Sequence, residues 1–238
     1  MIIYSGPSEL DGEPIVAIIT GIKSKSNNSK TGDMPQIWIL RSDIHPTEAL
    51  RTGQDSSICG NCIHRPKKLG ADALKKNSRT CYVNTMSFNG IFKSYKKGGY
   101  AVADLVKLAS ELEGRHVRVG AYGDPASLPI EILDTLLSKC KSTGYTHQWR
   151  TCDKRYAKYN MASCDTIVDV ADAVKLGYRT FFVQPRVDYK DAIHNVGGIK
   201  LAHCPASKEL GKVTTCRDCM MCDGTRFNHL ANITIMLH

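Results

Sequence analysis

The stretch HVRVGAYGDPASLPIEILDTLLSKCKSTGYTHQW, His116–Trp149, decides the fold class. The segment HVRV predicts a short strand that runs into a glycine-rich loop. The segment SLPIEILDTLLSKCKSTG has apolar residues at helical spacing and ends on Gly144, and YTHQW is a further strand. A strand, a helix and a strand joined by short connections predict a βαβ unit, whose strands pair in parallel.

The alternation of strands and helices continues on both sides of this stretch. Before it, QIWIL (36–40) is a predicted strand and AVADLVKLASELEG (101–114) is a predicted helix. After it, the predicted elements are the strand NMAS (160–163), the helix CDTIVDVADAVKLG (164–177) and the strand RTFFVQP (179–185). About six strands between Gln36 and His203 are predicted to be parallel, which indicates an α/β open sheet or a partial barrel.

The two ends of the chain depart from this central pattern. The strand EPIVAIITGIK (13–23) is predicted to form a hairpin with QIWIL, and a long polar loop (41–57) follows. The C-terminal end is rich in cysteine. We predict two domains: residues 1–203 form an α/β domain that includes the hairpin and the first cysteine loop, and residues 204–238 form a metal-binding extension packed on it.

Charge and cysteine content narrow the class of function. The chain has 238 residues, a formal net charge of +9 and ten cysteines. The positive charge favours an anionic partner such as a nucleotide or a nucleic acid. Because no stretch approaches the length of a membrane span and the first residues lack the features of a secretory signal, we expect a cytoplasmic protein. Thiols stay reduced there, so clustered cysteines indicate bound metal rather than disulfides.

The strongest metal-binding pattern lies near the C-terminus. Cys216, Cys219 and Cys222 form a C-x2-C-x2-C motif, and Cys204 lies upstream of it. Two intervening residues allow a tight turn to direct both sulfurs at one metal. Four thiolates complete either a tetrahedral zinc site or an iron–sulfur cluster, and the triple spacing is similar to that of bacterial ferredoxins. The alternative is a chance cluster of buried free cysteines.

A second set of cysteines lies in CGNCIHRPKKLGADALKKNSRTCYVN, Cys59–Asn84. Cys59, Cys62 and Cys81 supply three ligands, and a three-ligand site keeps one metal position open, as catalysis requires. Two alternatives remain: His64 either closes a zinc site as the fourth ligand or is an ordinary surface histidine. The remaining cysteines are interpreted as structural residues: Cys140, Cys152 and Cys164.

The loop GAYGDPASLP, Gly120–Pro129, is a candidate cofactor site. Glycines allow the backbone to approach a ligand closely, and ligands bind at the carboxyl ends of strands in parallel sheets. Asp124 is placed either to cap the next helix or to bind a cationic amine. The simpler interpretation is a tight turn. The candidate residues are Gly120, Tyr122, Gly123 and Asp124.

In their order along the chain, these features resemble the radical S-adenosylmethionine enzymes. Three cysteines that end in Cys81-Tyr82 follow an early strand, Gly123-Asp124-Pro125 follows the next parallel strand, and a βα series leads to a cysteine-rich tail. The resemblance covers roughly residues 36–204 and the tail. It implies a partial (β/α)6 TIM-like barrel. It also implies one or two 4Fe–4S clusters and S-adenosylmethionine as a cofactor, with these cysteine ligands: Cys59, Cys62 and Cys81 for the catalytic cluster, and Cys204, Cys216, Cys219 and Cys222 for an auxiliary one.

The whole chain also resembles a group of cysteine-rich bacteriophage proteins. The shared stretches are RSDIHPTEALRTGQDSSICGNC, GAYGDPA, GYTHQW and TCRDCMMCDG. This likeness implies a bacterial host cytoplasm and no particular activity.

Two functions from different classes are consistent with the sequence. The first is an iron–sulfur enzyme of the radical S-adenosylmethionine type that acts on a nucleotide or a nucleic acid. The second is a non-catalytic zinc protein that binds nucleic acid or a host protein, in which both cysteine sets are structural.

Overall fold

A computed structural model of the chain describes residues 1–23, 31–75, 77–184, 193–211, 213–227 and 231–236. The chain has a mixed α/β fold with two mixed sheets, which confirms the predicted class. The first sheet contains five strands in chain order: β1 (Ile2–Pro7), β2 (Pro14–Thr20), β3 (Gln36–Arg41), β4 (His116–Tyr122) and β5 (Lys141–Thr143). The strands β1, β2 and β3 pair antiparallel, whereas β3, β4 and β5 pair in parallel.

The second sheet has six strands in the order β6-β7-β8-β11-β10-β9. The bounds are β6 (Tyr145–Thr146), β7 (Met161–Cys164), β8 (Thr180–Gln184), β9 (Ile193–Val196), β10 (Ile199–His203) and β11 (Asn232–Met236). All neighbours pair in parallel except β9 and β10, which are antiparallel. The strand β11 therefore lies inside the sheet, bonded to β8 and β10. The predicted domain boundary at residue 203 would separate β11 from both of these strands.

A single residue, Gly144, joins the two sheets. It separates β5, which pairs with β4, from β6, which pairs with β7. A Cβ atom at this position would lie 3.2 Å from the carbonyl oxygen of Val119 and would collide with the side chain of Asn160, so the close approach requires glycine. The parallel strands consequently follow one another as β3, β4, β5, then β6, β7, β8 and β11.

Seven α-helices are assigned in the described part of the chain. They are α1 (Pro46–Thr52), α2 (Ser56–Cys59), α3 (Thr85–Lys96), α4 (Leu105–Glu111), α5 (Ile130–Leu136), α6 (Ile167–Lys175) and α7 (Cys216–Cys219). None of them combines the length and the apolar character that a membrane span needs.

The apolar residues form cores on the faces of the two sheets. The largest core joins the isoleucines of β2 and β3 to Phe88 of α3, Leu108 of α4 and Leu133 of α5. In the second sheet, one face packs on α6 through Val170 and Ala173. A separate cluster joins Met161 of β7 and Ile233 of β11 to cysteines of the tail. The cysteine-rich tail is therefore packed against a sheet face.

Most predicted elements occur, with shorter helices than the patterns suggested. The hairpin of β2 with β3 is confirmed. The helix predicted over 101–114 begins only at Leu105, because Asp104 caps it by accepting hydrogen bonds from the main-chain N–H groups of Val106 and Lys107. The helix predicted to reach Gly144 ends at Leu136, and part of the remainder is the strand β5. The prediction of an unbroken loop over 41–57 is wrong, since α1 begins there on Pro46 with His45 as its cap.

Candidate metal centres

The segment that carries Cys59 crosses the carboxyl ends of parallel strands. The carbonyl oxygen of Ile58 accepts a 2.6 Å hydrogen bond from the main-chain N–H of Asp124, which follows β4. The carbonyl oxygen of Cys59 accepts a 3.1 Å hydrogen bond from the side-chain amide of Gln148, which follows β6. The first cysteine group, Cys59, Cys62 and Cys81, therefore lies at the edge where ligands bind in parallel sheets.

The thiols of the first cysteine group are close enough to affect one another. Burial raises the pKa of Cys62 to about 12, and the neighbouring Cys81 adds to the rise. Burial also raises the pKa of Cys59, with further contributions from Asp55, Cys62 and Cys81. Thiols of this kind are poor nucleophiles at neutral pH. Their thiolates become favourable when a cation is bound, so the surroundings suit metal ligands rather than a catalytic nucleophile.

A buried arginine–aspartate pair holds the loop of the first group. The Nε and Nη2 atoms of Arg65 donate to the two carboxylate oxygens of Asp55 at 2.8 and 2.9 Å, and the side chain of Asp55 is only 1% exposed. The same guanidinium donates to the carbonyl oxygens of Gly53 and Gly60 at 2.7 and 2.8 Å. Arg65 therefore fixes the backbone on both sides of Cys59.

The second cysteine group, Cys204, Cys216, Cys219 and Cys222, also converges. Burial raises the pKa of Cys222; a hydrogen bond with Tyr145 opposes this shift, and the other three cysteines add to it. Cys204 is anchored by its N–H, which donates to the carbonyl oxygen of Thr234 in β11 at 2.8 Å. The α7 turn begins on Thr215, whose side chain accepts a hydrogen bond from the N–H of Asp218. All four predicted ligands of the tail are thus brought together.

A second buried arginine–aspartate pair holds the tail. Arg179, which precedes β8, lies 2.7 Å from Asp223, whose side chain is fully buried. Its guanidinium also donates to the carbonyl oxygens of Met221, Gly224 and Ala231 at 2.6 to 2.8 Å. Arg179 therefore fixes the backbone around Cys222, as Arg65 does around Cys59.

Sulfur spacing distinguishes a single metal ion from a larger cluster. Within the described residues, no three of the seven cysteine sulfurs lie within 4.8 Å of one another. Sulfurs around one tetrahedral zinc ion are about 3.8 Å apart, from zinc–sulfur bonds of about 2.3 Å. Because a cluster of several irons is larger than one ion, it holds its ligands further apart. Within the described residues, the sulfurs of neither group are as compact as the ligands of one zinc ion.

Arg118 of β4 interacts with Tyr82, the neighbour of Cys81 in sequence, and with Cys216 of the second group. Its Nη2 atom donates to the hydroxyl of Tyr82, next to Cys81, at 2.7 Å. The pKa of Arg118 is raised by Tyr82 first, and Tyr145 and Cys216 add to the rise. Arg118 therefore interacts both with the residue that follows Cys81 and with Cys216 of the second group.

The candidate cofactor loop has clear structural reasons for its glycines and its aspartate. Gly123 has φ +82°, and a Cβ atom there would lie 2.9 Å from the carbonyl oxygen of Ile39 in β3. The buried carboxylate of Asp124 accepts hydrogen bonds from the main-chain N–H groups of Ala126 and His147, at 3.0 and 2.8 Å. Asp124 thus caps the short 3-10 helix Pro125–Ser127, one of the two roles predicted for it.

The hydroxyl of Tyr122 is the polar group of this loop that faces the first cysteine group. Its ring stacks on Phe88 with centroids 4.2 Å apart. Burial raises the pKa of Tyr122, and Cys59 is the next contributor. The hydroxyl is buried and has no hydrogen-bond partner among the described residues. A buried hydroxyl without a hydrogen-bond partner is energetically unfavourable, so this oxygen is suited to contact a ligand bound at the first cysteine group.

Replacing Gly123 with alanine is expected to destabilise the protein by about 2–4 kcal/mol, because the new Cβ would contact the β3 backbone and the positive φ disfavours a side chain. Urea unfolding measures the difference. The matched control is Gly114→Ala, which has φ +70° with nothing within 4 Å of the new Cβ. We expect it to cost only about 1 kcal/mol. Equal losses in the two variants would contradict the close contact with Ile39.

The other predicted residues are placed as follows. His64 is not placed as a fourth ligand of the first cysteine group, because its Nε2 atom lies 3.0 Å from a carboxylate oxygen of Asp165. Cys140 and Cys164 are buried in apolar clusters, and the sulfur of Cys152 lies 3.4 Å from the hydroxyl of Tyr178. His203, at the end of β10, is buried.

Sequence reasoning missed three residues of these sites. Asp165 directly follows β7, and a carboxylate after a parallel strand is a recognisable signal. Arg65 and Arg179 had no comparable signal, because an isolated arginine in a sequence gives no indication of a buried carboxylate partner.

Comparisons with protein-family models, with curated proteins and with solved structures found no match to the chain. The evidence for function therefore comes from the geometry of the sites.

Proposed function

We propose that the chain is an iron–sulfur protein of the radical S-adenosylmethionine type, in a bacterial cytoplasm. The observation that carries the proposal is the position of the first cysteine group. It lies over the carboxyl ends of β4 and β6, beside the Gly123-Asp124 turn. That is the arrangement implied by the resemblance to these enzymes.

The strand order supports the corresponding fold. The strands β3, β4 and β5 pair in parallel one after another, and β6, β7, β8 and β11 continue the series after Gly144. Together they supply the strands that a partial (β/α)6 barrel needs. In this proposal the helices α3 to α6 cover the outside and the cysteine groups lie inside.

The first cysteine group would hold a 4Fe–4S cluster with one position left for S-adenosylmethionine, and the second group would hold an auxiliary cluster. Such a cluster, once reduced by an external one-electron donor, would supply the electron that breaks a carbon–sulfur bond of S-adenosylmethionine, giving methionine and a 5′-deoxyadenosyl radical. The chain itself positions the reactants. Asp124 fixes the main chain of His147. The hydroxyl of Tyr122, which has no hydrogen-bond partner in the described part of the chain, is available to a bound ligand.

A basic groove supports a nucleic-acid substrate. It has a volume of about 570 Å³ and runs along α3 from Met86 to Lys97, beginning close in sequence to Cys81. Three exposed lysines line it: Lys93, Lys96 and Lys97. Within the described residues none of the three has a carboxylate partner, so their charge is available for phosphates. Polyanion in the groove would be led towards the first cysteine group.

Changing the three groove lysines to glutamine is expected to weaken binding of single-stranded nucleic acid about tenfold or more, and to reduce the slope of log affinity against log salt by about 2. Fluorescence anisotropy over a salt series measures both quantities. The matched control changes three exposed lysines elsewhere, Lys107, Lys139 and Lys175, by the same total charge. If both triple variants lose affinity equally, the charge acts generally and the groove is not the binding surface.

The function is tested by purifying the protein without oxygen and measuring iron, sulfide and zinc per chain. About eight irons with cleavage of S-adenosylmethionine would support two clusters and the proposed activity. Iron that is lost from Cys216→Ala but kept in Cys59→Ala would leave only the auxiliary cluster and would rule out the radical mechanism. Zinc without iron would favour the second candidate, a zinc protein that uses the basic groove for binding alone.

A further inference from the structure

A separate set of ligand atoms lies beside the first cysteine group. His64 comes from the loop after α2, His147 follows β6, and Asp165 follows β7. The Nε2 atom of His64 is 3.0 Å from Oδ1 of Asp165, and the Nε2 atom of His147 is 3.7 Å from Oδ2 of the same carboxylate. All three ligand atoms lie within 4.8 Å of one another. Within the described residues, this is the one set of three potential ligands that is so compact.

These separations suit a single ion. Ligand atoms around a tetrahedral ion are about 3.3 Å apart when metal–nitrogen and metal–oxygen bonds are about 2.0–2.1 Å. The two distances to Asp165 lie on either side of this value. Because all three ligand atoms already lie within 4.8 Å of one another, a small adjustment of the side chains would bring them around one ion, and they would leave at least one position open.

The hydrogen bonding of the two histidines also supports a role as metal ligands. The Nδ1 atom of His64 is 2.8 Å from the hydroxyl of Thr80, a contact of the kind that orients histidine ligands and fixes their tautomer. The Nε2 atom of His147 is buried and has no hydrogen-bond partner among the described residues. A buried ring nitrogen without a partner is unfavourable in the absence of a ligand.

We infer that His64, His147 and Asp165 bind one divalent transition-metal ion. Two imidazoles and one carboxylate select zinc, iron(II) or cobalt(II), whereas magnesium and calcium prefer oxygen ligands throughout. The site does not depend on what the cysteines bind, so it stands apart from the proposed function. His147 and Asp165 follow the parallel strands β6 and β7, so the ion would lie at the same edge of the sheet as the first cysteine group.

Cobalt(II) titration of the full-length protein tests the site, after the cysteine groups have been filled and free metal removed. We expect one further ion per chain, with visible absorption but without the intense ultraviolet band of a cobalt–thiolate bond. We expect His147→Gln and Asp165→Asn to bind this ion at least tenfold more weakly. The control His45→Gln, outside the group, should bind it as the unchanged protein does.

Two results would overturn the inference. One is the absence of a further ion in the unchanged protein, which would leave a hydrogen-bonded histidine–aspartate network. The other is binding that is unchanged in both variants or that shows cobalt–thiolate absorption. Iron and sulfide are measured on the same samples. A failure of the proposed function would alter those contents, whereas a failure of this site would leave them as they were.

Discussion

Replacing Arg179 with methionine is expected to lower the free energy of unfolding by about 3–5 kcal/mol and to remove any metal that the second cysteine group binds. The substitution leaves the fully buried carboxylate of Asp223 without its cation, and a broken buried ion pair has about this cost. It also removes the donors to the carbonyl oxygens of Met221, Gly224 and Ala231, which fix the backbone around Cys222. Urea unfolding and metal analysis of the purified variant measure the two effects.

The control for Arg179 is Arg155→Met. Arg155 contacts Glu131, Asp134 and Asp153, but its side chain is half exposed. Exposed ion pairs are screened by solvent and contribute little to stability, so this variant should be close to the unchanged protein in both measurements. Comparable losses at the two positions would mean that burial does not set the contribution of Arg179.

Arg65→Met is expected to have a similar cost, about 3–5 kcal/mol, and to remove any metal that the first cysteine group binds, not the second. Asp55 is almost fully buried and would lose its paired guanidinium, together with the donors to Gly53 and Gly60. The same two measurements apply. Arg65→Lys keeps the charge but not the forked geometry, so it should recover only part of the loss.

Comparison of the two arginine variants separates local from global effects. Because the arginines hold different loops, Arg179→Met should keep the metal of the first group, and Arg65→Met should keep that of the second. Loss of all metal in either variant would show that the two groups form one cooperative unit, and would contradict separate support by the two arginines.

The fold class was predictable because its signals are local. The βαβ pattern of His116–Trp149 depends on side-chain periodicity over a few turns, and the hairpin of β2 with β3 depends on two apolar runs. The bounds of helices were less predictable. Asp104 begins α4 inside an apolar pattern that starts earlier, and α5 ends well before Gly144 because the intervening residues pair with β4 as β5.

In the candidate sites, the sequence could predict the residues whose type and spacing mark them as ligands. Cysteine spacing identified both groups, and the turn after β4 identified Gly123 and Asp124. Side chains that meet only through the fold were not predictable. His64 and Asp165 are 101 positions apart in sequence, and Arg179 and Asp223 are 44 apart. Local periodicity carries no information at such separations.

The position of β11 has a consequence for biosynthesis. Residues 232–236 leave the ribosome after both strands that they join, yet they lie between β8 and β10 and pair with each. The nascent chain therefore exposes an unpaired edge on β8 and another on β10 until β11 has emerged. Pairing between such distant segments is slow, and open edges favour association between chains. Cys204, whose N–H donates to the carbonyl oxygen of Thr234, reaches its final position only after β11 has paired.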